Sequence, residues 1–278
     1  MAVQRWHVVE AARPPERTAA AVGVPAIELD RLSVRYGGGT ALESVSCALF
    51  AGEQVAVVGP NGAGKSTLFK AIAGLLRPSA GEVRYFGAGV PGPSAIAYLP
   101  QRSQVDWRFP ACVSDVVMMG RVGRVGLFRR PGPRDRALVA EALDVVGMGH
   151  LARRQIGELS GGQQQRVFLA RALAQEARVL LMDEPLNGLD AGSQEALFRT
   201  IDTLRDRGVT VLTALHDLQL AARHFDRVML LNRRLIGLGG ADEVFTPARL
   251  LEAYGSHLHL SVTREGVLTV ADTCCDHE

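Results

Sequence analysis

Nine residues, GPNGAGKST at 59–67, set glycines, a lysine and two hydroxyls in the spacing G-x-x-x-x-G-K-[ST]. Gly59, Gly62 and Gly64 free the backbone, so the N–H groups running through Asn61, Ala63 and Thr67 can wrap a phosphate. Lys65 supplies a compact cation for the terminal phosphates of a nucleotide, and Ser66 a hydroxyl for Mg²⁺. The lysine is informative because, of 31 Lys and Arg residues, only Lys65 and Lys70 are lysine. VLLMDEP at 179–185 is its natural complement. Four apolar residues deliver Asp183 to a strand end, where it can hold the Mg²⁺ shell, and Glu184 can orient and deprotonate a water. LSGGQQQR at 159–166 is a second glycine-rich opening to a helix, whose N-terminus offers unpaired N–H groups to an anion. It has no lysine, so the chain carries two phosphate-facing segments and a lysine in only one.

These segments need a scaffold, and the hydrophobic pattern predicts it. VAVVG is a continuous apolar run ending in glycine, as a buried parallel strand requires, and a helix follows from Lys65 to about Gly74. AIELDRLSVRY and SVSCALF alternate, which predicts half-exposed antiparallel strands, and short strands follow at GEVRYFG and AIAYLP. Residues 111–176 hold three helical stretches with apolar residues three and four apart. The sheet resumes at VLLMDEP, with a helix over 191–207, then VTVLTALH, RVMLLN and RLIGLG. A last helix at 247–255 precedes a hairpin. The expected organisation is a poorly ordered arm at 1–25, a P-loop domain at 26–245 with a helical subdomain at about 105–176, and a C-terminal helix, hairpin and polar tail at 246–278. The fold class is α/β.

Composition narrows the function. At 47% hydrophobic and 22% charged residues the chain is globular, and a net charge of +2 gives no reason to expect a nucleic-acid partner. Cys47, Cys112, Cys274 and Cys275 lack metal-finger spacing. With no secretory signal and no run of about 18 apolar residues, the expectation is a reduced, cytoplasmic, soluble polypeptide that reaches a membrane through a partner.

The ordered set of motifs resembles the nucleotide-binding subunits of ABC transporters, over about residues 26–245. The resemblance implies a P-loop NTPase core sheet with an antiparallel β-subdomain and an inserted α-helical subdomain. It further implies that Tyr36 stacks on adenine, that Gln101 of the Q-loop senses Mg²⁺ and the partner, and that Asp190 belongs to the D-loop. His216 matches the switch histidine, and Ser160, Gly161, Gly162 and Gln163 the family signature. Family members pair head to tail, each signature closing over ATP held by the other copy. That arrangement explains the missing lysine, because Lys65 of the opposite chain serves the same phosphate. Asn187 stands where the family often carries Ser or Thr; with Asp190 intact, it is assigned no consequence.

YLPQRSQVDWRFP and GLFRRP are similar to the manganese/zinc/iron branch of importers, which implies an ATP-hydrolysing subunit working with a polytopic permease. An extracytoplasmic substrate-binding protein enters only indirectly. The alternatives are a siderophore/cobalamin-type importer subunit and a soluble non-transport ABC ATPase. The segment at about 101–121, with Val105, Trp107, Phe109 and Pro110, is the expected permease contact; the competing reading puts Trp107 and Phe109 in a core. Arginines 121, 124, 129, 130, 134 and 136 are either a lipid-facing or a solvated surface, and the CCDHE tail either a metal site or an incidental set of ligands.

Overall fold

Alternating and continuous apolar strands sort into two separate sheets. The computed structural model describes residues 23–87, 95–107, 109–126, 129–255, 258–262 and 268–272. Most of the N-terminal arm, Leu127 and Phe128 of GLFRRP, and the CCDHE tail lie outside the described residues.

The alternating strands β1 (Ile27–Tyr36) and β2 (Gly39–Leu49) pair antiparallel, Ile27 opposite Leu49. The continuous strand β3 (Gln54–Val58) is buried throughout and leads through the glycine loop into α1 (Lys65–Ile72). Strand β4 (Ala80–Tyr85) completes the antiparallel sheet in the order β2-β1-β4. Strand β5 (Ile96–Leu99) is the edge of the main sheet.

Four helices follow: α2 (Val113–Met118), the short α3 (Val122–Val125), α4 (Pro133–Val145) and α5 (Gly161–Ala174). Helix α5 packs on α2 and α4 and is the centre of the helical subdomain. The chain then alternates β6 (Val179–Asp183), α6 (Ala191–Asp206), β7 (Thr210–Leu215), α7 (Leu218–His224), β8 (Arg227–Asn232) and β9 (Arg234–Gly239). Helices α8 (Ala241–Val244) and α9 (Pro247–Tyr254) precede the hairpin β10 (Leu258–Val262) and β11 (Leu268–Asp272). Among the described residues no helix is long and apolar enough to cross a membrane.

The six-stranded sheet runs β5-β6-β7-β3-β8-β9, parallel except for β9. Its central strands are buried on both faces, which explains their unbroken apolar runs. Val55 and Val57 face α1 and the antiparallel sheet, packing with Leu68, Phe69 and Ile72. Ala56 and Val58 face the opposite layer with Leu180, Met182 and the helical subdomain. Each fully buried Leu or Phe contributes about 1.5–3 kcal/mol, so this two-sided core holds the strand ends rigidly.

Arg121 departs from both surface expectations. It is neither lipid-facing nor solvated: it is 4% exposed, and its guanidinium donates to Asp135 Oδ1 at 3.0 Å, Glu176 Oε2 at 2.7 Å and the Ala174 carbonyl at 2.7 Å. It ties the starts of α3 and α4 to the end of α5.

Candidate nucleotide-binding site

Strand order decides what meets. Strands β6, β7 and β3 are parallel neighbours, with Asp183 opposite Ala214 and Val58 opposite Leu215. Their C-terminal ends therefore bring Gly59, Asp183, Glu184 and His216 to one edge, where ligands of open α/β sheets collect.

The loop after β3 needs its glycines for two reasons. Gly59 and Gly64 have φ of 156° and 97°, a region costly for other residues. A Cβ on Gly59 would lie 2.0 Å from the Leu231 carbonyl oxygen, and one on Gly64 2.6 Å from that of Ala41. Asn61 and Gly62 are exposed at the mouth, Ala63 is buried, and Ser66 and Thr67 are half-buried in the first turn of α1. Lys65 is 5% exposed and donates to the carbonyls of Gly59 at 2.6 Å and Pro60 at 3.1 Å. Burial pushes its ammonium below the ordinary lysine value, and the nearby Glu184 and Asp183 carboxylates partly oppose this. A buried ammonium held by backbone carbonyls is a strong receptor for phosphate.

Asp183 is 1% exposed. Burial pushes its carboxyl upward, opposed by the Ser66 hydroxyl; Glu184 adds to the rise. The Tyr98 hydroxyl donates to Oδ2 at 3.4 Å. Among the described residues nothing hydrogen-bonds the buried Oδ1. A buried carboxylate oxygen without a donor, beside a hydroxyl, is what a hard cation takes as ligand. The donor set fits Mg²⁺.

Glu184 adopts left-handed backbone, φ 51°, at a cost of about 1–2 kcal/mol for a residue with a Cβ. Its side chain is 14% exposed, and His216 Nε2 lies 2.5 Å from its Oε1. The Asn187 amide donates to Oε2 at 2.6 Å. A cleft of about 230 Å³ is lined by Glu184, Asn187, Gln194, His216 and Asp217, so water reaches this carboxylate.

The other expected site residues lie elsewhere. Tyr36 ends β1 and is 50% exposed. Gln101 is half-buried just beyond β5, the strand neighbouring β6. Asp190 does not join Glu184: it caps α6, accepting from Ser193 N and Ser193 Oγ, both at 2.9 Å. The signature opens α5 as a capping box, Ser160 Oγ accepting from Gln163 N at 3.4 Å and Gln163 Oε1 from Ser160 N at 2.9 Å. Its glycines face other partners than the P-loop. A Cβ on Gly161 would lie 2.8 Å from Arg102 Nη1, and one on Gly162 2.5 Å from Ser193 Oγ.

Trp107 and Phe109 part ways. Trp107 packs edge-on against Phe168 of α5, ring centroids 5.2 Å apart, and its indole N–H donates to the Arg102 carbonyl at 2.9 Å. It belongs to the core of the helical subdomain, the reading that competed with permease contact. Phe109 is 55% exposed, near the exposed Met119 and Val122 in sequence. Sequence reasoning missed Tyr98 and set aside Asn187; the apolar-polar strand IAYL carries no signal for Tyr98, and Asn187 was visible only as a departure from the family pattern.

Three comparisons bear on this geometry. Residues 42–187 match the family model described as ABC transporter. The zinc transport system ATP-binding protein TroB of Treponema pallidum (strain Nichols) is 48% identical over 242 residues, 87% of this chain and 91% of that protein. The manganese transport system ATP-binding protein MntB of Halalkalibacterium halodurans is 44% identical over 247 residues, 88% of this chain and 98% of that protein. Among solved structures, CbiO1 of Clostridium perfringens, part of the ABC transporter complex CbiONQ, superposes with a TM-score of 0.70 at 29% identity, covering 82% of this chain and 93% of that one.

Proposed function

The chain belongs to the ABC transporter family, and on that premise we propose that it binds and hydrolyses ATP to power uptake of a transition-metal ion, manganese, zinc or iron, through a separate membrane permease. The observation that carries the hydrolytic part is the convergence of Lys65, Asp183, Glu184 and His216 at the ends of three adjacent parallel strands. The metal class rests on the likeness to relatives named for zinc and manganese transport.

In this reading the N–H groups of residues 61–67 and the Lys65 ammonium receive the phosphates of ATP, and Tyr36 stacks on the adenine. Ser66, Asp183 and Gln101 hold Mg²⁺, which supplies neutralising charge to the phosphate oxygens when bound. Glu184 orients a water against the terminal phosphorus and takes its proton as the bond to the bridging oxygen breaks. His216 steadies that carboxylate from β7.

Ser160, Gly161, Gly162 and Gln163 act in trans, on ATP held by a second copy of the chain, and Asp190 shapes the loop between the two sites. Permease contact falls to the exposed part of residues 101–121, with Phe109 as its apolar anchor. The protein works at the cytoplasmic face of the plasma membrane, bound through that permease.

The test is uptake of radiolabelled manganese, zinc and iron by a deletion strain. The parental chain should restore uptake of one of these ions, and Glu184→Gln should not. Restored uptake of a metal chelate instead, with none of the free ions, would overturn the cargo assignment.

A further inference from the structure

Asn187 sits three residues beyond Glu184 and bonds it twice. Its backbone N–H donates to the Glu184 carbonyl at 3.3 Å, closing the turn, and its side-chain amide donates to Glu184 Oε2 at 2.6 Å. His216 takes the other oxygen, Oε1, from β7. One donor on each oxygen fixes the plane of the carboxylate and still leaves it a free lone pair on each oxygen, since a carboxylate accepts at about four positions.

The two donors differ in placement. His216 directly follows β7 of the buried sheet, whereas Asn187 sits on the loop 186–189 that runs to Asp190 and the cap of α6. The loop and the helix it leads into both border the signature: a Cβ on Gly162 would lie in ordinary contact with Leu189, 3.9 Å away, and would clash with Ser193 of α6 at 2.5 Å. Asn187 is thus the residue through which the loop touching the signature also grips the Glu184 carboxylate.

We infer that Asn187 is a positioning residue for hydrolysis: its amide aims the Glu184 carboxylate at the attacking water without adding charge. The inference rests on the reading of Glu184 as the base. The amide is a neutral donor whose shape an aspartate copies, so Asn187→Asp keeps the volume while replacing the donor with a like-charged acceptor. Asn187→Ala removes the donor, and Asn187→Ser restores a shorter one.

The experiment measures kcat, KM for MgATP, binding of a fluorescent ATP analogue and thermal melting for the purified full chain and these variants, with Glu184→Gln alongside. The expected order of kcat is parent, then Ser, then Ala, then Asp. Ala should fall about tenfold, the size of one hydrogen bond to a charged group, and Asp further. Analogue affinity and melting temperature should stay near the parental values. Glu184→Gln should abolish turnover. Ala and Asp variants within twofold of the parent, while Glu184→Gln is dead, would overturn the role of Asn187 alone. Losses of kcat that track equal losses of affinity and melting temperature would overturn it too, as a folding effect. Parental turnover in Glu184→Gln would remove the base itself, and the inference with it.

Discussion

His216 Nε2 and Glu184 Oε1, 32 residues apart in sequence, lie 2.5 Å apart across the ends of the neighbouring strands β6 and β7. The contact gives the histidine a mechanical role, because it anchors a carboxylate whose own backbone turns left-handed directly after the strand. His216→Ala should lower kcat by about tenfold to a hundredfold, the range for a hydrogen bond to a charged group. Steady-state ATPase rates at saturating MgATP check this. A rate within twofold of the parent would remove His216 from the hydrolytic apparatus.

Lys65→Ala should fail at an earlier step than Glu184→Gln. It removes the buried ammonium that faces the phosphates, so nucleotide affinity itself should drop by at least about tenfold, read by fluorescent-analogue titration. Because Ser160 is exposed and the signature glycines border Arg102 and Ser193, a Lys65→Ala chain mixed with a Ser160→Arg chain should recover part of the ATPase activity if the signature acts in trans. Heterodimers that form but show no recovery would count against signature action in trans.

Trp107 and Phe109 should give different phenotypes. Trp107 is half-buried, so Trp107→Ser, which strips the contact with Phe168, should destabilise the chain by about 1–3 kcal/mol. Phe109 projects outward, so Phe109→Ser should leave the melting temperature within about a degree or two, as exposed substitutions do, while uptake in cells is lost. Thermal melting and a transport assay on the same pair of variants separate the two roles.

Arg121 predicts an acid-sensitive contribution to stability. The Gly132 N–H and Arg121 hold Asp135 below the usual carboxylate range, and Arg121, helped by Arg124, does the same for Glu176. Carboxyls depressed in the folded state stabilise it fully above their unfolded values, and that stability fades as pH falls through the lowered folded values. Arg121→Ala should therefore cost about 1–3 kcal/mol at neutral pH. The gap to the parent should narrow as the pH drops below about 4, the unfolded carboxylate range. Melting curves across that range decide it; a constant gap would exclude the two carboxylates as the cause.

Much of this protein is legible from short-range pattern. The P-loop, the Asp183–Glu184 pair and the signature are runs of adjacent residues, and backbone chemistry ties each to a strand end or a helix start. Alternating runs mark the half-exposed antiparallel strands and unbroken apolar runs the strands buried on both faces, and so the two sheets. Tertiary structure alone decided which strand ends are neighbours, and the order β6-β7-β3 is what puts His216 on Glu184. It also decided that Trp107 turns inward and that Arg121 is buried, because each depends on what helix α5 presents across the chain. Asn187 is the sharpest case. It lies only three positions beyond Glu184, yet their contact requires a left-handed backbone at a glutamate, a conformation that residues with a Cβ rarely adopt and that the following Pro185 does not announce.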